Sequence, residues 1–224
     1  MKTKMAFFFI IGTVFLSFQL TSCQTTTKDG KTFDEHSLDG TLSMAQGDYS
    51  KAVASYEKAL QINSNPDDNA VVYRGLANSY YHLEEYKKAI DYLKKAIEKN
   101  PNDELSYALS GSIYYKLKDH KQCIKVLEKY ISLEPEDIDS YVMLSNAYFE
   151  TKEYAKAIQR TKTYLQKKPN DADMHLLLGM CYVANNGSID DIVKAFSRAA
   201  ELGSDKALKF LHMIAADAAQ QSQR

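Results

Sequence analysis

His120 and Cys123 are the residues whose types and spacing come nearest to a catalytic pair. They stand three positions apart, so on a helix an imidazole would lie beside a thiol, as a base lies beside its nucleophile. Their context favours packing instead. His120 holds the position that Tyr86 and Tyr154 hold thirty-four residues before and after it, and Cys123 holds a position where alanine stands in both neighbouring segments. We therefore interpret both as structural residues.

Other chemical motifs are missing from the sequence. It contains no glycine-rich phosphate loop, no G-x-S-x-G, no H-E-x-x-H and no EF-hand-like loop. Carboxylates such as Asp67–Asp68 and Asp190–Asp191 cluster at predicted helix starts, where they cap helices and complement the macrodipole. Cys23, Cys123 and Cys181 fit neither a zinc site nor a disulfide framework. The sequence predicts no catalytic residue, no metal and no cofactor.

Composition restricts the classes of partner. The 224 residues are 45% hydrophobic and 25% charged, as in an ordinary globular protein. The formal net charge is −1, and no long run of like charge forms the basic footprint of a nucleic-acid-binding protein. We therefore expect no nucleic-acid partner.

The first 23 residues have the features of an export signal. Lys2 and Lys4 precede an apolar run from Met5 to Leu20, which is short for a membrane span. The run ends in Leu20–Thr21–Ser22–Cys23, which resembles the bacterial lipoprotein signal. That resemblance implies a removed signal peptide over residues 1–22 and a lipidated Cys23. An ordinary signal peptide and an uncleaved anchor are the alternatives.

Lipidation would place the chain on a membrane without spanning it, because several buried acyl chains hold a protein durably on a bilayer. Gln24 follows the cysteine, where an aspartate would suggest retention at the inner membrane in enteric-type lipoproteins. This favours the periplasmic face of the outer membrane. Residues 23–35 are polar, with little apolar periodicity, and are expected to form a flexible tether.

An aromatic doublet recurs every thirty-four residues, at Tyr80–Tyr81, Tyr114–Tyr115 and Tyr148–Phe149. A fixed period of this length is typical of stacked repeats. Around the first doublet, apolar residues at spacings of three and four predict two amphipathic helices that bury a shared seam. Adjacent helical residues point about 100° apart, so the two members of a doublet face different surroundings.

This pattern resembles the tetratricopeptide repeat, a helix-turn-helix of 34 residues with large and small side chains at set positions. The third unit shows it with Tyr107, Gly111, Tyr114, Cys123, Leu127 and Pro135. The resemblance implies an all-α solenoid of five units, at about residues 33–69, 70–103, 104–137, 138–171 and 172–203. A capping helix over residues 204–219 and a frayed tail to residue 224 follow. A docking helix for a partner is the alternative for this last helix.

In tetratricopeptide proteins the first helix of each pair lines a concave groove that binds partners. The resemblance places the following residues in it: Arg74, Asn78, Tyr81, Ala108, Ser112, Tyr115, Val142, Asn146, Phe149, Leu176, Met180 and Val183. Spacings of four then three put each set on one helix face. The second doublet members belong to this set, so we expect their replacement to weaken binding and spare the fold. Replacement of the first members, Tyr80, Tyr114 and Tyr148, should lower stability.

The groove is predicted to be aromatic and mostly neutral, with Arg74, His82 and Lys116 in its N-terminal half and Asp139, Glu150 and Asp173 in its C-terminal half. Some family members hold a peptide's terminal carboxylate with Lys and Asn residues. Ser112 and Val142 stand where that clamp needs an amide and a cation, so an extended or helical peptide in apolar pockets is the expected ligand.

These features predict a non-catalytic, membrane-anchored scaffold for protein-protein interactions in a bacterial cell-envelope assembly or secretion system. Its partner would be a protein or peptide segment. The alternative is an accessory protein of a transporter that binds a small apolar or anionic ligand, which an enclosed pocket would favour.

Overall fold

The computed structural model describes residues 26–62 and 66–221, and all regular structure within these ranges is α-helical. The helices are α1 (Phe33–Ala45), α2 (Tyr49–Gln61), α3 (Pro66–His82), α4 (Tyr86–Lys99), α5 (Glu104–Lys116), α6 (His120–Leu133), α7 (Asp139–Glu150), α8 (Tyr154–Lys167), α9 (Ala172–Ala184), α10 (Ile189–Glu201) and α11 (Asp205–Gln221). The chain packs as two compact units, which divide within α4 between Tyr92 and Leu93. The prediction of an all-α fold is confirmed.

Consecutive helices form hairpins, and one hairpin begins before the predicted start of its repeat. In the C-terminal unit α5 packs on α6, α7 on α8, and α9 on α10, each pair within its predicted segment. The second repeat was expected to begin at residue 70, but α3 begins at Pro66. Proline suits the first helical turn because its missing N–H would be unpaired there.

The aromatic doublets supply the carbonyls that close each helix-turn-helix. The backbone N–H of Lys118 donates to the Tyr115 carbonyl (3.0 Å), and that of Asp119 donates to the Tyr114 carbonyl (2.9 Å). The same two bonds follow the other two doublets. Lys118 has a φ of 58°, which is the left-handed conformation that ends many helices. The doublet is therefore a structural terminator as well as a repeat marker.

In the third and fifth repeats a glycine on the first helix opposes a large residue on the second helix. A Cβ on Gly111 would lie 2.3 Å from Leu127 Cδ2, and a Cβ on Gly179 would lie 2.5 Å from Phe196 Cε1. Such distances leave no room for a side chain in a close-packed interior. The position of Leu127 thus agrees with the predicted steric role of Gly111.

The fourth repeat has different residue types at these two packing positions. Ser145 stands at the glycine position and Thr161 at the large position, and both side chains are fully buried. Neither hydroxyl has a hydrogen-bond partner among the described residues. A buried polar group left unpaired costs about 1–3 kcal/mol, so this seam is weaker than a glycine and leucine pair would make it.

The first doublet members also join consecutive repeats. The Tyr148 hydroxyl donates to Glu128 Oε1 (2.6 Å), and Arg160 Nη2 pairs with Glu128 Oε2 (2.7 Å), so one carboxylate connects α6, α7 and α8. In the N-terminal unit the Tyr80 hydroxyl donates to Glu57 (3.2 Å). Burial and the Glu57 charge raise the pKa of Tyr80 to about 12. It therefore remains a hydrogen-bond donor at neutral pH.

The C-terminal helix α11 packs on α10, as a capping helix would. The Phe210 ring stacks on Phe196 at 4.9 Å, and Ala207 is fully buried. Leu208 and Met213 are 45% and 61% exposed. The helix reaches Gln221, two residues beyond the expected end at 219, and residues 222–224 of the predicted tail lie outside the described residues.

Residues 26–32 correct the expectation of a flexible tether over residues 23–35. The Thr27 N–H donates to the Lys31 carbonyl (3.0 Å) and closes a turn. Within it, the Asp29 carboxylate pairs with Lys58 of α2 (2.9 Å) and lies 3.2 Å from Nε2 of the buried His36 on α1. These contacts attach the turn to the first hairpin, because the Lys58 ammonium group donates a charge-assisted hydrogen bond to the Asp29 carboxylate.

The predicted signal peptide and the lipidation site Cys23 lie outside the described residues. Within the described ranges, no helix has the length and apolar character needed to cross a bilayer.

Candidate functional site

The first helices of consecutive repeats lie side by side within each unit. In the C-terminal unit α5 contacts α7 and α7 contacts α9. The predicted groove residues on these helices therefore form one surface, the first-helix face, which comprises Ala108, Ser112, Tyr115, Val142, Asn146, Phe149, Leu176, Met180 and Val183. In the N-terminal unit α3 contacts α1 and presents the half-buried Arg74, Asn78 and Tyr81.

The members of the first-helix face differ in how far their side chains are exposed to a ligand. Val183 is 51% exposed, whereas most members are half-buried. Leu176 requires a correction because it is only 8% exposed and belongs to the hydrophobic core with Leu177 and Leu178. The apolar residues of α9 extend around the helix, and a helix that is apolar on several sides becomes buried.

Leu105 is a member of this face that sequence reasoning missed. It lies on α5 and is 53% exposed, three residues before Ala108 and seven before Ser112. That spacing puts it on the same helix face and was visible in the sequence. Leu105 extends the apolar part of the surface by one turn toward the start of α5.

The polar members of the first-helix face bond to their own helices. The Ser112 hydroxyl donates to the Ala108 carbonyl (3.1 Å), and the Asn146 side-chain amide donates to the Val142 carbonyl (2.9 Å). Each bond runs four residues back along one helix. These donors point along the helix rather than toward a carboxylate, so a clamp for a peptide terminus is not assembled at these positions.

The second doublet members make contacts within their own hairpins. The Tyr115 ring lies 6.4 Å from His120, and the Phe149 ring lies 5.7 Å from Tyr154. Tyr81 makes the corresponding contact with the first residue of α4 at 5.9 Å. The expectation that their replacement spares the fold therefore needs correction, since aromatic pairs of this kind contribute about 0.5–1.5 kcal/mol.

The first doublet members occupy the predicted seam. Tyr80 and Tyr148 are buried, with 7% and 3% exposure. Tyr114 is half-buried and packs against the core of the C-terminal unit. Their placement agrees with a structural role.

The two cysteines within the described ranges, Cys123 and Cys181, lack the environment of a nucleophile. Cys123 is fully buried, and its Sγ donates to the Gly111 carbonyl at 3.6 Å. Burial raises the pKa of Cys123 to about 12, and burial raises the pKa of Cys181 to about 12 as well. A reactive cysteine needs a lowered pKa, because the thiolate is the attacking species. In the described part of the chain no three His, Cys, Asp or Glu side chains gather as metal ligands.

Carboxylates border the first-helix face. Asp139 and Asp173 are exposed in the first turns of α7 and α9, and Glu150 is exposed at the end of α7. Lys116 is the basic residue at the end of α5. The border of the face on α7 and α9 is therefore acidic, as the sequence predicted.

Residues 114–186 match the family profile described as tetratricopeptide repeat. The chain is a tetratricopeptide-repeat protein. Residues 45–130 match a second profile, described as anaphase-promoting complex, cyclosome, subunit 3. Together the two matches extend from the first hairpin to just beyond the end of α9.

Solved structures share the fold of this tetratricopeptide-repeat chain. A crystal structure of MamA aligns with a TM-score of 0.66 and 24% identity, and covers 78% of this chain and 93% of that one. YrrB, described as a tetratricopeptide-repeat protein with an unusual peptide-binding site, aligns with a TM-score of 0.65 and 21% identity over 81% of this chain and 88% of its own. These similarities confirm an α-solenoid fold.

Among curated proteins the similarity covers a shorter segment. The photosystem I assembly protein Ycf3 of Synechococcus sp. (strain CC9605) is 36% identical over 64 residues, which is 29% of this chain and 37% of that protein. Ycf3 of Acaryochloris marina is 29% identical over 63 residues and 38% of its length. The chain thus matches little more than a third of the length of these relatives.

Proposed function

We propose that this chain is a non-catalytic scaffold, anchored to a membrane through a lipid on Cys23, that binds a protein segment on its first-helix face. The observation that carries this proposal is the apolar surface across α5, α7 and α9, on which Leu105 and Val183 are more than half exposed. An exposed apolar patch with a polar border is the usual mark of a protein interaction site. The peptide-binding description of YrrB supports the same use of the fold.

We further propose that the scaffold serves an assembly or secretion system of the bacterial cell envelope, on the periplasmic face of the outer membrane. The lipoprotein-like ending Leu20–Thr21–Ser22–Cys23 and the Gln24 that follows it support this location. The short similarity to an assembly protein, Ycf3, is in keeping with a role in assembly.

Substitutions on the face test the proposal. Leu105→Asp with Val183→Asp should abolish capture of the partner by the full chain from an envelope extract, because two charges would have to be desolvated in the interface. Both sites are exposed, so the fold should keep its helical circular dichroism. The Cys23→Ser variant should be absent from the membrane fraction and should still capture the partner.

The matched control uses the exposed apolar residues of α11. Leu208→Asp with Met213→Asp adds the same charges at similar exposure, away from the first-helix face. This variant should capture the partner normally. Equal capture by the face variant and the wild type would refute the proposed binding site, and loss in the α11 variant alone would move the site to the last helix.

A second candidate function rests on a cleft of about 480 Å³ between α8, α9 and α10. Lys162, Lys194 and Arg198 line it, which would suit a small anionic ligand. However, Arg198 already pairs with Glu201 (2.9 Å), and Asp191 also stands in the wall. The cleft therefore offers little net positive charge, and the protein-binding function has the stronger support.

A further inference from the structure

We propose that the segment bound on the first-helix face is an amphipathic α-helix whose apolar side is bordered by basic residues. This inference rests on the proposed function and specifies its ligand. It combines two observations, the internal hydrogen bonds of the polar side chains on the face and the carboxylates at its border.

The hydrogen bonds on the face argue against an extended ligand. An extended peptide brings an unpaired N–H and C=O at every residue, and these need partners when they are buried. At the centre of the face the Ser112 hydroxyl and the Asn146 amide already donate to the carbonyls of Ala108 and Val142. These bonds leave one N–H and the oxygen of the Asn146 carboxamide and the lone pairs of the Ser112 oxygen, which are too few to pair with every buried backbone group of an extended segment. An α-helix pairs its backbone N–H and C=O groups internally, so it needs only apolar contacts from the face.

The apolar members of the face match that requirement. Leu105, Val142, Met180 and Val183 offer aliphatic and thioether surface on three neighbouring helices. Helices pack with axes about 8–10 Å apart, so a ligand that crosses the full width of all three must be roughly 24–30 Å long, which is about 16–20 residues of α-helix. The flexible Met180 side chain can adapt to the ligand's side chains.

The charges at the border of the face indicate which charge the ligand residues beside the apolar side should carry. Asp139 and Asp173 are exposed in the first turns of α7 and α9, one turn before Val142 and two turns before Met180 along the same helix faces. Glu150 adds a third exposed carboxylate at the far end of α7. Lysine or arginine beside the apolar stripe of a ligand would meet these groups at the rim, where charge pairs set specificity and association rate.

Designed peptides of about 18 residues test the inference directly. One places leucine at helical spacing of three and four with lysine between. The second has the same composition in strict alternation, which favours an extended strand, and the third replaces lysine by glutamate in the helical pattern. We expect the full chain, titrated in detergent, to bind the first peptide at least about tenfold more tightly than either of the others.

Charge reversal on the protein provides the second arm. Asp139→Lys with Asp173→Lys should weaken binding of the basic helix by about tenfold and improve binding of the acidic one. The control is Asp190→Lys, because Asp190 is an exposed first-turn residue on α10, outside the face. It should leave both affinities unchanged.

Two results would overturn the inference. One is equal or tighter binding of the alternating peptide, and the other is failure of the basic helix to bind. Neither decides the proposed function, since an alternating peptide whose binding is lost with Leu105→Asp and Val183→Asp would show that the same face binds extended segments instead. The proposed function fails separately, if those two substitutions leave partner capture unchanged.

Discussion

Replacing Gly111 by leucine should destabilise the protein by at least about 3 kcal/mol, which exceeds most point mutations. The first carbon of the new side chain would lie 2.3 Å from Leu127 Cδ2, between two fully packed helices. Three further carbons have no space, so α5 and α6 must separate. The urea midpoint of the full chain, followed by circular dichroism, measures the loss.

Two companion variants separate crowding from other effects of leucine. Ser112→Leu adds the same side chain one residue later, at a half-buried position, and should shift the midpoint little. Leu127→Ala in the Gly111→Leu background removes the opposing side chain and should recover part of the stability. A Gly111→Leu chain with the midpoint of the wild type would refute the packing described for this seam.

Phe196→Ala should cost about 3–5 kcal/mol, the usual range for deleting a buried aromatic ring. Phe196 is fully buried, faces Gly179 within its hairpin, and stacks on Phe210 of α11. The Phe196 side chain therefore packs between α9 and α10 of the fifth repeat and also contacts α11. The expected result is a lower thermal midpoint together with rapid hydrogen exchange in α11.

Phe210→Ala is the control for that prediction. Phe210 is 37% exposed, so its loss should loosen α11 and leave the α9 and α10 hairpin intact, at a cost of about 1 kcal/mol. If Phe210→Ala costs as much as Phe196→Ala, the two rings do not play the different roles described here.

The repeat architecture could be predicted from sequence because it depends on local spacing. The aromatic doublets mark the same position in successive hairpins. Gly111 and Gly179 each pack against a large residue of their own hairpin, Leu127 and Phe196, which lies fewer than twenty residues later in the sequence. The opposition of glycine to a large side chain repeats along the chain, so each repeat supports the interpretation of the others.

The misplaced features depend on neighbours that are distant in sequence or on side-chain direction. Leu176 was placed on the groove by its position in the repeat, but the apolar surroundings of α9 bury it. The repeat pattern predicts that Tyr115 contacts a ligand, but its ring also packs against His120 across the turn. The turn at Asp29 was missed because its contacts are Lys58 and His36, and a polar segment gives no periodic signal of such an attachment.

Site-specific photocrosslinking tests most directly whether the first-helix face is the binding surface. A photoreactive phenylalanine analogue is placed in cells at Ser112, at the centre of the face, and in a parallel strain at Lys125, which is exposed on α6. We predict a discrete adduct with one partner protein from position 112 and none of that adduct from position 125. Identical adducts from both positions, or no adduct from position 112 while the partner still copurifies, would contradict binding on this face.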